Sequence, residues 1–246
     1  MKISVLKFGG TSVTTLEKRA KIIEIVKEKI SLGESPIVVV SAIGRYPDSY
    51  ATDTLISLVN NDFKENNPLA MDLLMSCGET ISSVIIAATL KANGINAIPL
   101  NGGQAGIITD DNFGNATVID YNDKIIRKIL ENNQVPVVTG FQGITKEGFI
   151  TTLGRGGSDT SAAIIGKYLN ANEIEIFTDV DGIYDKDPNT HKDAKLIEEI
   201  SYDEAYKMAC KGAKVIHEKA ILHAKEKNIP LYVKNTLKNN KGTLIK

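Results

Sequence analysis

The chain has 246 residues, of which 42% are apolar and 24% are charged, and its formal net charge is −1. This length and balance predict a globular protein with a sizeable buried core, and they exclude a chain that is disordered throughout. The small net charge argues against a nucleic-acid-binding protein, which would usually carry a basic surplus.

Cysteine usage and hydropathy point to a cytoplasmic protein. The two cysteines, Cys77 and Cys210, are far apart and the sequence has no CxxC pair, so neither a disulfide framework nor a zinc site is expected. The N-terminal apolar run is too short for a signal peptide. The most apolar stretch, centred on residues 84–88, is judged too short to span a bilayer. We therefore expect no membrane partner.

The chain opens with a β-α-β pattern. Residues 3–8 predict a strand that stops at Gly9 and Gly10, and the pair Thr14 and Glu17 fits a capping box at the start of a helix. Residues 36–40 form a nearly continuous apolar run, which is typical of a strand buried on both faces of a parallel sheet. Apolar residues at spacings of three and four would form the buried face of the helix: Leu16, Ala20, Ile23, Val26 and Ile30.

Strands and helices alternate along the rest of the chain. Helices are predicted at 67–93 with a bend near Gly78, and at 123–132, 159–169, 201–212 (from the capping pair Ser201 and Glu204) and 213–226. Strands are predicted at 97–100, 135–139, 148–153 (a hairpin arm), 173–178 and 230–234. The pattern predicts one α/β domain, residues 1–246, folded as a three-layer αβα sandwich on a mostly parallel sheet. Ligands of such sheets bind outside the carboxyl ends of the strands.

Two glycine-rich loops follow predicted strands. In residues 7–12, glycine amides, a helix N-terminus and the Lys7 charge could bind an anion, although a plain strand-to-helix turn explains this segment equally well. Residues 154–160 place Arg155 between glycines, with Ser158 and Asp159 at a helix start. Here function is favoured over a capped flexible loop, because a guanidinium binds carboxylates or phosphates in a bidentate way.

Three further features are ambiguous on their own. The loop that begins at Thr178 and Asp179 could hold a ribose, a purine or a metal, but an ordinary β-turn is the better explanation. Lys214 could reach a nucleotide, but a solvated lysine is the better explanation. Glu79 follows a glycine inside a helix, where glycine costs roughly 1 kcal/mol relative to alanine. That glycine indicates close packing or a ligand, with a simple kink as the alternative.

Common nucleotide-binding signatures are missing from the sequence. No G-x-x-x-x-G-K-[ST] motif occurs, and the partial G-x-G-x-x-G at Gly154 fails because Asp159 occupies the last glycine position. The protein-kinase motifs are also absent. These tests exclude a P-loop ATPase, a Rossmann dehydrogenase and a protein kinase.

The combination of segments is more specific than any one of them. Residues 7–13, 39–42, 76–79, 140–143, 152–159, 177–180 and 212–215 occur in an order that closely resembles the catalytic domain of aspartate kinase, in the amino acid kinase family. The resemblance covers essentially the whole chain. Residues 44–58 look most like the lysine- or dipicolinate-linked aspartate kinases of Gram-positive bacteria.

The resemblance implies a fold, a reaction and a pathway. The fold would be the αβα sandwich of the family, with the amino acid over the N-terminal part and ATP over the C-terminal part. ATP and L-aspartate would give ADP and 4-phospho-L-aspartate, the first step toward lysine, threonine, methionine and often diaminopimelate. Because the acceptor is already an anion, no strong general base is needed, and the histidines are expected to be structural or solvated.

Residue roles are implied by the same resemblance. Lys7 and Mg²⁺ would offset the charge of the γ-phosphate, and Asp159 would orient Lys7 or the substrate ammonium. No protein ligand for a metal is assigned. The substrate-binding set would be Thr52, Glu79, Arg155, Gly156, Gly157 and Ser158. The ATP-binding set would be Lys7, Phe8, Gly9, Gly10, Ser41, Thr178, Asp179, Tyr184, Asp187 and Lys214.

The chain departs from the family pattern in three respects. Asn189 replaces a frequent arginine after the Asp-Pro pair, and Glu218 replaces the usual proline after His217. The sequence ends about where the catalytic domain closes, without the paired ACT domains that bind feedback inhibitors in most aspartate kinases. A natural short form, one subunit of a split enzyme and a truncated chain all stay open.

The sequence leaves two alternative functions open. A related kinase could act on glutamate, N-acetylglutamate or UMP, but Glu79 together with Arg155 suits a zwitterionic acceptor better. A catalytically silent, ligand-binding regulatory subunit would be expected to lose Lys7, Arg155 or Asp159, and all three are present. The family tendency implies a homodimer, with a separate regulatory subunit as a further partner to test for.

Overall fold

The computed structural model describes residues 1–188, 190–212 and 215–246, and within them the chain forms twelve β-strands and eight α-helices. The strands are β1 (Lys2–Phe8), β2 (Glu34–Val40), β3 (Ala97–Leu100), β4 (Ile107–Thr109), β5 (Val118–Tyr121), β6 (Val135–Thr139), β7 (Gln142–Ile144), β8 (Ile150–Thr152), β9 (Glu173–Thr178), β10 (Glu199–Ile200), β11 (Leu231–Asn235) and β12 (Thr243–Ile245). The helices are α1 (Leu16–Ser31), α2 (Thr52–Ile56), α3 (Asn61–Asn66), α4 (Pro68–Ala92), α5 (Lys124–Glu131), α6 (Gly157–Leu169), α7 (Tyr202–Cys210) and α8 (Glu218–Lys225).

The strands form two sheets. The main sheet has the order β10-β12-β11-β9-β1-β2-β6-β3, and all its pairs are parallel except β11 with β12. The smaller sheet has the order β5-β4-β7-β8 and is antiparallel apart from the β4–β7 pair. In the main sheet β1 lies between β9 and β2, so the residues that follow β1 reach the carboxyl edge at its centre.

Helices cover both faces of the main sheet. Successive strand residues point to opposite faces, so Val5 of β1 joins one apolar core and Leu6 joins the other. The first core also contains residues of α5, α6, α7 and α8, and the second contains residues of α1 and α4. This arrangement confirms the predicted αβα layers and the mostly parallel sheet.

The predicted phase of the first helix is wrong. Residues 10–13 form a single 3-10 turn, and α1 starts after it with Thr15 as the N-cap, whose side chain accepts a hydrogen bond from the Lys18 amide. The Thr14 hydroxyl instead donates back to the Thr11 carbonyl. Leu16 is 82% exposed, and the fully buried residues of α1 are Ile22 and Val26. The extra turn displaces the helix start, so the predicted capping box does not form. The predicted apolar face is only partly right, because Val26 is buried and Ile23 packs against the core, whereas Leu16 and Ile30 are exposed.

Other predicted elements hold with altered bounds. The capping box of Ser201 and Glu204 is present at the start of α7, and β7 and β8 form the predicted hairpin. Within the described residues the last helix begins at Glu218 with His217 as its N-cap, later than the predicted 213. The short elements α2, α3, β4, β5, β7, β10 and β12 were not predicted, because segments of two to six residues carry too little periodicity.

Helix α4 is longer and more continuous than its apolar centre indicates. It runs unbroken through Gly78 for 25 residues, and by length and composition it could cross a membrane, which corrects the expectation that this stretch is too short. In the fold it packs against β3, β6 and β8, and 44% of its most apolar window is buried. The same test is passed by core helices, so it is weak evidence for a membrane span.

Candidate active site

A pocket of about 490 Å³ lies at the carboxyl edge of the main sheet. It is bounded by the segments that follow β1 and β2, by α2 and α4, and by the loop that leads into α6. Ten predicted site residues line it: Lys7, Gly10, Ser41, Thr52, Glu79, Arg155, Gly156, Gly157, Ser158 and Asp159. Segments as far apart in sequence as Lys7 and Asp159 therefore meet at one cavity.

Lys7 and Asp159 form an ion pair on the cavity wall. Lys7 lies near the end of β1 and Asp159 in the first turn of α6. The Lys7 Nζ is 2.7 Å from Asp159 Oδ1, and each residue is only 9% exposed. A buried carboxylate partner holds the ammonium in one place, so the cation is positioned before any ligand arrives.

Glu79 projects from α4 into the same cavity and is 3% exposed. Its Oε1 accepts a hydrogen bond from the Ala42 amide at 3.0 Å, whereas its Oε2 has no partner among the described residues. Burial raises the pKa of Glu79 to about 7, and the hydrogen bond from Ala42 opposes this shift. A half-satisfied buried carboxyl of this kind is suited to receive a cationic group.

Gly78 explains how α4 comes so close to the loop after β2. A Cβ at this position would lie 2.8 Å from the Ala42 Cβ and 2.8 Å from the Tyr50 carbonyl oxygen. Close packing is therefore the reason for the glycine, and the helix continues through this position without a break. The same approach brings the neighbouring Glu79 within hydrogen-bond reach of Ala42.

The loop before α6 presents a cation at the rim of the cavity. Arg155 is exposed and makes no ion pair or hydrogen bond with any described residue. The next residue, Gly156, is the N-cap of α6 with a left-handed φ of +66°, and a Cβ there would overlap the His217 side chain. The α6 N-terminus and the Arg155 guanidinium thus offer an anion site beside Glu79.

Asp72 is a structural residue of the site that the sequence analysis missed. Its fully buried carboxylate accepts hydrogen bonds from the Gly114 amide at 2.9 Å, the Thr152 amide at 2.8 Å and the Thr152 hydroxyl at 2.7 Å. It joins α4 to β8 and to the β4–β5 loop, both adjacent to the cavity. Asp72 and Glu79 lie seven residues apart in an otherwise apolar helix, and that spacing was the available signal.

A second, smaller cavity of about 160 Å³ lies on the other side of β1. Its lining includes Thr178 and Asp179 after β9, together with Thr11, Ser12, Lys18, Asn235, Thr236, Leu237 and Lys238. The exposed Arg45 after β2 reaches across the edge to Asp179, with Arg45 Nη2 at 3.3 Å from Asp179 Oδ2. The edge therefore carries two adjacent cavities, one on each side of the central strand.

The remaining predicted nucleotide residues are dispersed. Gly9 donates its amide to the Phe177 carbonyl at 3.1 Å, and Ser41 donates its amide to the Phe8 carbonyl at 3.2 Å. Phe8 itself is fully buried and stacks on Phe177 at 4.8 Å, so its side chain belongs to the core. Tyr184 and Asp187 lie further along the loop after β9, and among the described residues neither lines the two cavities. Lys214 and Asn189 lie outside the described residues.

Comparison with known families identifies the family of the chain. The profile of the amino acid kinase family matches residues 2–235. The chain belongs to the amino acid kinase family. Among curated members, the chain is 46% identical over 245 residues to aspartokinase 1 of Bacillus subtilis and 40% identical over 241 residues to an aspartokinase of Helicobacter pylori. These alignments cover 100% and 98% of the chain.

Solved structures agree with the family assignment. The chain superposes on the aspartate kinase of Synechocystis with a TM-score of 0.86 and 35% identity, over 99% of this chain and 39% of that one. It superposes on aspartokinase III of Escherichia coli, solved in complex with aspartate and ADP, with a TM-score of 0.80 and 28% identity. That match covers 99% of this chain and 64% of that one.

The chain covers less than two thirds of the length of these curated relatives. It spans 61% of the Bacillus subtilis protein and 58% of the Helicobacter pylori protein. The family assignment rests on residues 2–235.

Proposed function

We propose that this chain transfers the γ-phosphoryl group of ATP to the side-chain carboxylate of L-aspartate. One observation carries the proposal: a single cavity brings together the unpaired Arg155 cation, the half-satisfied Glu79 carboxyl and the Lys7–Asp159 pair. An amino acid with a free ammonium and two carboxylates matches this charge pattern. The similarity to aspartokinases, one of them solved with aspartate and ADP, supports the same substrates.

The proposed binding mode assigns each charge of aspartate to one partner. Arg155 and the α6 N-terminus receive the α-carboxylate, with hydrogen bonds from Ser158 and the amides of Gly156 and Gly157. The free Oε2 of Glu79 accepts a hydrogen bond from the α-ammonium. Thr52, on the cavity wall at the start of α2, adds a hydrogen bond. The side-chain carboxylate is then left to face Lys7.

The proposed chemical step needs no general base. An aspartate side chain has a pKa of about 3.9 and is ionised at neutral pH, so its oxygen attacks the γ-phosphorus directly. A phosphorus–oxygen bond forms to the acceptor, the bond between the γ-phosphorus and the bridging oxygen breaks, and ADP leaves with the electron pair. Lys7, held by Asp159, stabilises the negative charge shared by the two reacting anions.

The nucleotide is proposed to lie over β1 with its base and ribose toward the second cavity. The support is the position of Thr178 and Asp179 in that lining and of the Gly9–Gly10 loop between the two cavities. Ser41, Phe8, Tyr184, Asp187 and Lys214 stay in the proposed nucleotide set. Arg45 would have to release Asp179 for a ribose to be hydrogen-bonded there.

Mg²⁺ fits this edge as a companion of the nucleotide. Among the described residues no cluster of three or more His, Cys, Asp or Glu side chains could hold a metal ion. Magnesium commonly takes one or two protein ligands and completes its shell with phosphate oxygens and water. The hydroxyl of Ser41 and the carboxylate of Asp159 are the donors beside Lys7 that could contribute to its binding. When bound, the ion would neutralise charge on the phosphates.

The proposed setting is cytoplasmic amino-acid biosynthesis, as the first step toward lysine, threonine, methionine and diaminopimelate. The chain is further proposed to act as a homodimer, with a separate regulatory subunit as an additional candidate partner. The biosynthetic role is supported by the similarity to aspartokinases.

The test of the reaction is product trapping. Purified protein is incubated with ATP, Mg²⁺ and hydroxylamine, with or without L-aspartate, and both ADP and the hydroxamate of the acyl phosphate are measured. Hydroxamate is expected only with aspartate, and ADP release should not rise with glutamate, N-acetylglutamate or UMP as acceptor. Lys7→Ala and Arg155→Ala should abolish hydroxamate formation, while Lys146→Ala in the exposed β7–β8 turn should not. Folded protein that binds ATP but yields no hydroxamate would refute the proposal.

A further inference from the structure

The segment after β2 lies directly on the glycine loop after β1. The Gly44 amide donates a hydrogen bond to the Gly10 carbonyl at 3.1 Å. A Cβ on Gly10 would lie 2.5 Å from the Ala42 carbonyl oxygen and 3.0 Å from the Gly44 carbonyl oxygen, so a glycine is needed for the two backbones to approach this closely. Arg45, the residue after Gly44, is therefore placed beside the Gly9–Gly10 loop.

A reciprocal turn holds the backbone of Arg45. The Arg45 amide donates to Asp48 Oδ2 at 3.1 Å, and the Asp48 amide donates to the Arg45 carbonyl at 2.8 Å. The Ala51 amide donates to the Asp48 carbonyl at 3.1 Å and so connects the turn to the start of α2. The Arg45 side chain itself is exposed. A long cationic side chain thus projects from a backbone that is fixed in place.

The Arg45 side chain reaches across the end of the central strand. Arg45 Nη2 lies 3.3 Å from Asp179 Oδ2, and the two residues follow β2 and β9. Because β1 lies between those strands in the sheet, the segments joined by this contact are two strand spacings apart, roughly 10 Å. Gly44 lines the main cavity and Asp179 lines the smaller one. The ion pair therefore bridges the two cavities at the carboxyl end of β1.

The proposed nucleotide has to cross the same interval. In the proposed binding mode the γ-phosphate lies at Lys7 in the main cavity and the ribose at Asp179 in the smaller one. The β-phosphate then comes between them, beside the Arg45 guanidinium. Lys7 is already paired with Asp159 at 2.7 Å, so a further cation is required to offset the charge of the polyphosphate.

The two lysines of the smaller cavity are less suitable for this phosphate. Lys18 Nζ donates to the Thr11 carbonyl at 2.8 Å, and Lys238 Nζ lies 2.7 Å from Asp181 Oδ2. Both lysines line the smaller cavity and neither lines the main one. Arg45 differs from them because its ion pair joins the segments that border both cavities.

The Arg45–Asp179 pair can be exchanged at little cost. The side chains are 75% and 50% exposed. An exposed ion pair of this kind contributes little to stability, because water screens the attraction. A phosphate offers a guanidinium two parallel charge-assisted hydrogen bonds and so binds it more strongly than this single contact does. A change of partner therefore favours the nucleotide complex.

We propose that Arg45 is a phosphate-binding residue that exchanges the Asp179 carboxylate for the β-phosphate when a nucleotide binds. The proposal rests on the proposed function for the identity of the nucleotide. Arg45 adds a cation next to Lys7 along the polyphosphate. Asp179 is released in the same step and accepts a hydrogen bond from the ribose.

The first test compares nucleotides that differ in phosphate number. Isothermal titration calorimetry measures the Kd of AMP, ADP and ATP without aspartate and at constant Mg²⁺. Arg45→Gln should raise the Kd of ADP and of ATP roughly tenfold, because a charge-assisted hydrogen bond is lost, and should leave that of AMP unchanged. Arg45→Lys keeps the charge and should recover part of the loss. An unchanged Kd for ADP, or an equal rise for AMP, would overturn the proposal.

The matched control removes the same charge elsewhere. Arg127 of α5 is also an exposed arginine paired with an aspartate, Asp123. Arg127→Gln should leave all three Kd values at those of the wild type. Thermal unfolding of both variants should match the wild type, because both side chains are exposed. A rise in the Kd of ADP for Arg127→Gln as large as that for Arg45→Gln would show a general effect of charge and contradict the assignment.

The second test detects the exchange of partner. Inorganic tripolyphosphate has no ribose, so Asp179 can affect its binding only through charge and through Arg45. Asp179→Asn should lower the Kd of tripolyphosphate, because Arg45 no longer has a competing carboxylate. In the Arg45→Gln background the same substitution should have a much smaller effect. Equal effects in the two backgrounds would contradict the exchange.

The outcomes separate this inference from the proposed reaction. If Arg45→Gln weakens ADP binding as expected but the wild type forms no hydroxamate with aspartate, only the phosphoryl-transfer proposal fails. If the wild type forms hydroxamate and Arg45→Gln binds ADP normally, only the role of Arg45 fails. A wild type that binds neither ADP nor tripolyphosphate would refute both.

Discussion

The Glu79 carboxyl is hydrogen-bonded through Oε1 to the Ala42 amide at 3.0 Å and is enclosed by protein at Oε2 without a partner among the described residues. This contact joins the middle of α4 to the segment after β2, both of which line the main cavity. The buried Oε2 atom of Glu79 is left without a hydrogen-bond donor when no ligand is bound. Such a group disfavours its ionised form in the empty site and favours it once an ammonium lies opposite.

The free energy of unfolding of the Glu79→Gln variant, relative to that of the wild type, should therefore be higher at high pH than at low pH when no ligand is bound. Because the pKa of Glu79 is raised to about 7 in the folded state, the folded state holds a proton that the unfolded state has lost. The free energy of unfolding of the wild type thus falls as pH rises from about 4.5 to about 7. The free energy of unfolding of the variant, relative to that of the wild type, should therefore rise by up to about 3 kcal/mol over that range.

Urea unfolding at pH 5 and pH 8 without ligand measures this difference. The exposed Glu131→Gln substitution is the control and should show no such gain. If the difference in free energy of unfolding between Glu79→Gln and wild type is the same at both pH values, the Glu79 carboxyl does not have a raised pKa. The Glu79→Gln variant should also show a higher KM for aspartate, because the amide is a weaker partner for an ammonium.

Arg155→Lys should weaken aspartate binding more than ATP binding. The lysine keeps the charge but loses the planar pair of donors that fits a carboxylate. We expect the KM for aspartate to rise by roughly 10- to 100-fold, which corresponds to a charge-assisted hydrogen bond of about 1.5–3 kcal/mol. The KM for ATP should change little. Steady-state kinetics decide this, with Arg127→Lys on α5 as the control, and equal increases in both KM values would contradict the assigned role.

Lys7→Met should reduce kcat far more than it changes the KM for aspartate. The loss of a positioned charge donor at the reacting centre typically costs about 10²–10³ in kcat. Asp159→Asn keeps the ammonium but loosens its position, so its effect on kcat should be smaller. Single-turnover kinetics with saturating substrates separate the chemical step from product release. A Lys7→Met variant with normal kcat would remove Lys7 from the reaction.

Asp72→Asn should destabilise the fold and also raise the KM for aspartate. The carboxylate accepts three hydrogen bonds from Gly114 and Thr152, and an amide has only one acceptor oxygen for them. A buried donor left without an acceptor costs about 1–3 kcal/mol. Since Gly114 and Gly154 line the main cavity, loosening their anchors should widen it.

Urea unfolding and aspartate kinetics test the role of Asp72 together. Asp120→Asn on the exposed β5 strand is the matched control. Thr152→Val in the Asp72→Asn background removes one unsatisfied hydroxyl, so it should recover part of the lost stability. A destabilised variant with unchanged aspartate KM would limit Asp72 to a structural role.

The sequence was sufficient for features that depend on strong local patterns. The apolar runs of β2 and β6 predicted the buried parallel strands, and glycines next to Lys7 and Arg155 marked the two loops that meet at the cavity. The αβα layers followed from the alternation of these elements. The comparisons bear out the family resemblance, while the roles of individual site residues stay predictions.

Features that depend on tertiary contacts could not be derived in the same way. The 3-10 turn before α1 displaces the helix start by one residue, and no propensity signals that displacement. The small sheet is built from three- and four-residue strands that are stable only through pairing and packing. In the sequence, Asp72 is a single polar residue in an apolar helix. Its role becomes visible only when the structure shows its hydrogen bonds from Gly114 and Thr152.

The position of β1 between two cavities gives the fold an evolutionary consequence. The larger cavity draws on β2, α2, α4 and α6, whereas the smaller one draws on the segments after β9 and β11, and the strand that carries Lys7 separates them. Apart from the loop of residues 7–12, which contributes to both cavities, the two sets of walls come from different segments of the chain. Under the proposed roles of the two cavities, the acceptor can be exchanged by mutations that leave the nucleotide side unchanged. A laboratory search for new acceptors should therefore randomise Thr52, Ile56, Met75 and Ser158 and keep the β9 and β11 edge constant.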